Sequence, residues 1–165
     1  AFDVNSVAYD IAAQCAYVRF EGFEQSVKYR TKSLMDTLAV DREIAVLEND
    51  DSAAAWSNIR MLSAISNQGG DLWKISVRPS DGPQIVQKLG LVWGIMDWSG
   101  GLIWAKLDAG KTARDILGDI PGHAINLSAK TGLKFSNTNP ALTHLQSAIR
   151  EKFDPKGIFN PGLMG

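Results

Sequence analysis

Cysteine is almost missing from this chain. Cys15 stands alone among 165 residues, which excludes an internal disulfide. Histidine is nearly as scarce: His123 and His144 are the two present, so no structural zinc site of ordinary ligand spacing can be assembled. An excess of either charge is missing too, since 17 basic residues face 18 acidic ones for a net charge of −1. No Lys/Arg run or one-sided stripe occurs, so neither nucleic acid nor an anionic membrane is indicated as a partner. No apolar run approaches the roughly 18 residues of a membrane span, and no signal peptide is recognisable. Two nucleotide signatures are absent as well, the Gly-x-Gly-x-x-Gly after a strand and the complete Gly-x-x-x-x-Gly-Lys-Ser/Thr loop. Gly69-Gly70 and Gly100-Gly101 are isolated pairs that read as turns.

What is present fits one domain with a core of ordinary size. Hydrophobic residues make up 45% and charged residues 21%, as in soluble globular proteins. Cys15 lies in a strand-like stretch where a small buried hydrophobe is the default. The first residue is Ala rather than Met, which suits a fragment or a processed chain. Five Trp is high for this length, and large aromatics serve interfaces as well as cores.

Periodicity divides the chain into elements. After a loose start, Cys15 to Phe20 alternates, with Ala16, Val18 and Phe20 on one face. Phe23, Val27, Leu34 and Leu38 recur at helical spacing and predict an amphipathic helix over 23–39. Ile44 to Leu47 is a short strand candidate. Asp51 or Ser52 can cap a helix whose stripe is Trp56, Ile59, Leu62 and Ile65, stopped by Gly69-Gly70. Leu72 to Val77 alternates again. Asp81 and Gln84 suggest a capping box for a short helix that Gly90 ends. Leu91–Met96 and Leu102–Leu107 flank Asp97-Trp98-Ser99-Gly100-Gly101 as a β-hairpin. Thr112–Leu117 is a short helix and His123–Ala129 a last strand. Asn139 caps the final helix with Pro140 first, and Leu142, Leu145, Ile149 and Phe153 form its expected buried stripe.

Hairpins force antiparallel pairing while helical crossovers return to the sheet. The expected fold is therefore α+β: a mostly antiparallel sheet with helices packed on one face, of the ferredoxin-like kind. Two places invite a functional reading. Asp97-Trp98 could set a carboxylate and an aromatic wall over a ligand, or could be a turn Asp with a Trp covering the sheet. His123, grouped by alternation with Ile125, Leu127 and Ala129 at the edge of the apolar side, is a structural histidine or a polar group at a pocket mouth.

The most informative stretch is Phe153-Asp154-Pro155-Lys156-Gly157-Ile158-Phe159-Asn160-Pro161-Gly162. Asp-Pro-Lys-Gly suits a type I turn and Asn-Pro-Gly a second one, leaving Ile158 and Phe159 on a short rigid bridge. Such a segment is a clip onto its own domain or an anchor to a neighbouring one. It resembles the close of FAD-linked oxidases of the vanillyl-alcohol oxidase type. Within them the chain is most similar to the E subunits of bacterial glycolate oxidases, over essentially residues 14–164. The matching pieces are Ala16-Tyr17-Val18-Arg19-Phe20-Glu21-Gly22, Leu72-Trp73-Lys74-Ile75-Ser76-Val77, Asp97-Trp98-Ser99-Gly100-Gly101 with Trp104, and Gly122-His123-Ala124.

That resemblance implies the C-terminal cap domain of a flavoprotein, whose FAD is held by a separate N-terminal domain absent from this sequence. It implies oxidation of a 2-hydroxy acid such as glycolate. It also implies a second flavin subunit and an iron–sulfur subunit as partners, in the cytoplasm or peripheral to the inner membrane through them. Phe159, Asn160 and Gly162 would then lie near the flavin-domain junction, and His123, Trp98 and Asp97 near substrate; no catalytic residue is assigned. The chain alone should hold no FAD, and its junction surface should be unusually apolar, favouring a homodimer of the isolated domain. Related 2-hydroxy-acid dehydrogenases carry a metal-binding Gly-Asp-x-Asn-x-His run, where this chain has Gly122-His123-Ala124-Ile125-Asn126-Leu127 without the Asp, so no metal is expected. Leu163 stands where the family often has Arg. The competing reading is a free-standing α+β module for a small molecule or for dimerisation, without catalysis.

Overall fold

Strand alternation and two tight connections build most of the architecture. The structure, a computed structural model, describes residues 2–38, 43–90, 92–129 and 140–161. Strands β1 (Ser6–Asp10), β2 (Cys15–Arg19), β3 (Asp71–Val77), β4 (Gly94–Asp97), β5 (Leu102–Leu107) and β6 (Gly122–Asn126) form one sheet in the order β2-β1-β4-β5-β3-β6. Every neighbouring pair is antiparallel. The helices are α1 (Glu24–Leu38), α2 (Asn49–Arg60), α3 (Ser63–Ser66), α4 (Gly82–Leu89), α5 (Ala113–Leu117) and α6 (Pro140–Phe153).

From β3 onward the chain runs β3-α4-β4-β5-α5-β6, and its strands lie in the order β6-β3-β5-β4. That is the ferredoxin-like arrangement, and its two helices do sit on one face. Trp73, Ile75, Ile103, Ala105, Leu107 and Ala124 on the strands meet Ile85 and Leu89 of α4 and Ala113 and Leu117 of α5. Ile75, Ile85 and Ile103 are wholly inaccessible. Burial of such side chains contributes about 1.5–3 kcal/mol each, which makes this cluster the main source of stability. Gly90 ends α4 in the left-handed region at φ 59°, and the Thr112 hydroxyl caps α5 by accepting from Arg114 N at 3.2 Å.

The opposite face of the sheet's other end carries a second, smaller core. Ala8 of β1, Ile59 of α2 and Ile95 of β4 are buried together, with Tyr17, Trp56, Leu62, Ala64 and Trp104 around them. Tyr17 and Trp56 meet edge-on with centroids 6.5 Å apart. Burial pushes the Tyr17 hydroxyl pKa up, and Cys15 and Asp10 push it the same way. Thus α4 and α5 lie on one face, whereas α2 and α3 lie on the other.

Several expectations change. The start is not loose, because β1 pairs with β2 through a turn in which the Asp10 carboxylate accepts from Ala12 N and Ala13 N, each at 3.0 Å. Ile44–Leu47 forms no strand; Ile44, Val46 and Leu47 are 36–50% exposed and pair with nothing in the sheet. The helix expected through Ile65 breaks at Leu62, which takes φ 55° before α3. Asp81 makes no cap, because Arg78 holds its carboxylate at 2.8 and 3.3 Å. The core-facing residue of β6 is Ala124, while His123 is exposed on the opposite face. The stripe of α1 buries none of its residues, and Arg30 ties that helix down by donating to Asp3 O and Glu21 O, both at 2.7 Å. The α6 stripe is likewise not buried. Leu91, Asn139, Gly162 and Leu163 lie outside the described residues.

Candidate functional site

Cross-strand register organises the face of β3–β6 opposite α4 and α5. Residues directly opposite on antiparallel strands share a face, so three rows can be read across it. The first is Asp97–Leu102–Ser76–His123, the second Ile95–Trp104–Lys74–Ile125, and the third begins Lys106–Leu72. Leu127 continues the third row, donating its N–H to Leu72 O at 2.8 Å. The two polar residues expected near substrate, Asp97 and His123, therefore share a face and a row. They stand at opposite ends of it, three inter-strand steps or about 14 Å apart, so they do not touch.

Asp97 is occupied locally. Its carboxylate accepts from Trp98 N at 2.7 Å and starts a 3-10 turn through Gly100. Trp98 and Ser99 both have positive φ, at 51° and 55°. Trp98 is 63% exposed, so it is no cover for the sheet. The loop is fixed by backbone contact: a Cβ on Gly82 would meet Gly100 O at 2.2 Å, and one on Gly100 would meet Pro79 O at 2.9 Å.

The closing segment is built around Asp154. The Asp-Pro-Lys-Gly turn closes with Gly157 N donating to Asp154 O at 3.0 Å. The Asp154 carboxylate then accepts from Ile158 N at 2.9 Å and Phe159 N at 2.8 Å. The Arg150 guanidinium reaches Phe159 O and Asn160 O at 3.4 and 3.3 Å. The backbone donor of Phe159, followed by that of Ile158 and the charge of Arg150, holds the Asp154 pKa below the usual carboxylate range, against the opposing effect of burial. The segment is thus folded onto the end of α6 by its backbone, while its side chains face outward. Ile158 is 65% exposed and Phe159 63%. Leu142, Leu145, Ile149 and Phe153 extend this apolar surface along one face of α6, each at least half exposed.

Three features of the described residues bear on metal and nucleotide-phosphate chemistry. Among the described residues no three His, Cys, Asp or Glu side chains gather where they could hold an ion. No helix among them is long and apolar enough to cross a membrane. The run Gly110-Lys111-Thr112 before α5 lacks the first glycine of a phosphate loop, since position 105 is Ala. Lys111 pairs with Asp108 at 3.0 Å and Thr112 serves as the helix cap. Gly82 opens α4 where a phosphate-binding glycine could stand, yet its open side is filled by the Gly100 carbonyl. The described residues therefore do not fit the pyrophosphate of a dinucleotide. A solvent-open concavity lined by Val46, Glu48, Asn49, Asp50 and Asp51 includes none of Asp97, Trp98, His123, Phe159 and Asn160, and its acidic rim repels anions.

No family profile and no solved structure matches the chain. It is similar to the glycolate oxidase subunit GlcE of Escherichia coli K12, with 31% identity over 157 residues. The match takes in 90% of this chain and 38% of that protein, so the chain spans well under half the length of this curated relative. The similarity supports a GlcE-like relationship.

Proposed function

We propose that this chain is the cap region of an FAD-linked oxidoreductase acting on a 2-hydroxy acid such as glycolate, covering a flavin held by another domain of a longer polypeptide. The observation that carries the reading is the C-terminal clip. Its backbone is tied down by Asp154 and Arg150, yet Ile158 and Phe159 are turned out, like the exposed stripe of α6. Exposed apolar side chains on a preorganised frame are what an interface between domains needs, because little ordering entropy is left to lose on docking. Phe159, Asn160 and Gly162 are then the junction residues. The similarity to GlcE along most of the chain points the same way.

In this reading a flavin held by the other domain would supply the hydride acceptor for the carbon that bears the hydroxyl. The chain supplies the wall that faces it. Trp98 presents an exposed aromatic surface at one corner, and His123, exposed at the other end of the same row, is an imidazole able to exchange a proton there. A second flavin subunit and an iron–sulfur subunit complete the assembly and give it any membrane association.

The coding sequence ahead of Ala1 tests the reading directly. An open frame encoding a flavin-binding domain supports it, and a start codon immediately before Ala1 overturns it. In the purified chain the visible flavin bands should be missing, whereas the same chain joined to its upstream region should show them in stoichiometric amount.

A further inference from the structure

The face that carries Trp104 is covered by α2 and α3 over one half, and over the other Leu72, Lys74, Lys106 and Ile125 are half-buried. Trp104 borders the Ala8–Ile59–Ile95 cluster under α2 and α3. Beyond it on the same face, Leu72, Lys74, Lys106, Ile125 and Leu127 belong to neither hydrophobic core. Lys74 stands directly between Trp104 and Ile125, and Lys106 stands opposite Leu72. The two lysines are diagonal neighbours, with Cβ atoms about 7–8 Å apart.

Like charges so placed oppose each other. Neither lysine makes an ion pair with a described residue. The positions of β3, β5 and β6 on this face carry no carboxylate. Lys74 Nζ rests 5.5 Å from the centroid of the Trp104 ring, and Lys106 Nζ reaches Gly70 O at 3.4 Å. An ammonium has three donors, so each retains donors for a further acceptor. Asp97, at the corner of the first row, is committed to Trp98 N.

We infer that Lys74, Lys106 and the Trp104 ring form a binding site for a small carboxylate. The carboxylate accepts from both ammonium groups, and its carbon body lies against Trp104, Leu72 and Ile125. Both lysine stems are flexible enough to converge on two oxygens of one group. A carboxylate suits the site better than a phosphate, because it presents two oxygens to the two ammonium groups and an apolar carbon body to Trp104, Leu72 and Ile125. The inference rests on the proposed function only for the identity of the acid, as the wall that takes the 2-hydroxy acid's carboxylate.

The test uses the chain by itself, followed by two-dimensional amide and indole NMR. Sodium glycolate should shift the Trp104 indole N–H signal saturably, while sodium chloride at equal ionic strength should not. Binding should weaken about tenfold in Lys74→Gln and again in Lys106→Gln, the size of one charge-assisted hydrogen bond. Inorganic phosphate should bind at least about tenfold more weakly than glycolate, the cost of about one unsatisfied polar contact. The Ile75 and Ile103 amides report the fold in the same spectra, and Lys106→Gln tests the site independently should Lys74→Gln disturb them. An unsaturable shift, unchanged affinity in the folded variants, or phosphate binding as tight as glycolate overturns the site. None of those results touches the cap reading, which the upstream coding sequence decides separately.

Discussion

The ferredoxin-like half and the C-terminal helix use the same sequence device to opposite ends. In β3, β5 and α4, apolar residues at regular spacing meet one another, and Ile75, Ile103 and Ile85 vanish from solvent. In α6, Leu142, Leu145 and Ile149 recur just as regularly and remain half exposed or more. Periodicity therefore reports that a face exists, while only the partner decides whether it is a core or an interface. The first region holds the chain together; the second leaves its apolar side chains exposed.

The sharpest way to break that contrast is to truncate one isoleucine in each region. Ile75→Ala should cost about 3–4 kcal/mol in chemical denaturation of the chain, from lost burial plus the cavity left behind. Ile149→Ala should cost less than about 0.5 kcal/mol. Equal losses would show that α6 is part of the core. Next in size is Gly82→Ala, where the added methyl meets a carbonyl that cannot swing away. A loss of about 1–3 kcal/mol in the same assay is expected, as for overpacking elsewhere.

A smaller and local effect is expected at the clip. Asp154→Ala should accelerate amide exchange at Ile158 and Phe159 and leave exchange at Ile75 and Ile103 unchanged. Acid should do the same to the native chain. The folded Asp154 pKa lies below its unfolded value, so its contribution is fully present above the ordinary carboxylate value of about 4 and is lost as pH falls through the lowered folded value. Clip protection that is constant from pH 7 down to pH 1 would contradict the arrangement. The smallest effect on the chain itself is expected from Ile149→Glu, within about 0.5 kcal/mol in stability. In a protein that includes the flavin-binding region, the same change should loosen docking, seen as faster proteolysis between the two parts.

The ferredoxin-like unit was legible because its strands alternate and Gly90, Thr112 and the Asp97–Gly101 loop mark its turns. The Asp154 turn was legible for the same reason, since Asp, Pro and Gly occupy the positions that turn chemistry demands. β1 was not, because Ala8 is its sole buried residue and its place depends on pairing with β2 and β4. Ile44–Leu47 misled in the opposite sense, having strand composition without a strand beside it. The site was half legible: Asp97 and His123 could be named from sequence, but their separation depends on β5 and β3 lying between them. Nothing in the sequence set Lys74 and Lys106 apart. Only the register places both beside Trp104, where the positions of β3, β5 and β6 on that face carry no carboxylate.

The contact between Gly82, Gly100 and Pro79 bears on how such a surface could diversify. Backbone packed on backbone fixes the mount of Trp98, while its side chain stays largely in solvent. Residue 98 can therefore be exchanged for another size or polarity without moving the loop that presents it. That single position sets what this corner presents to solvent, apart from the backbone packing that holds the loop.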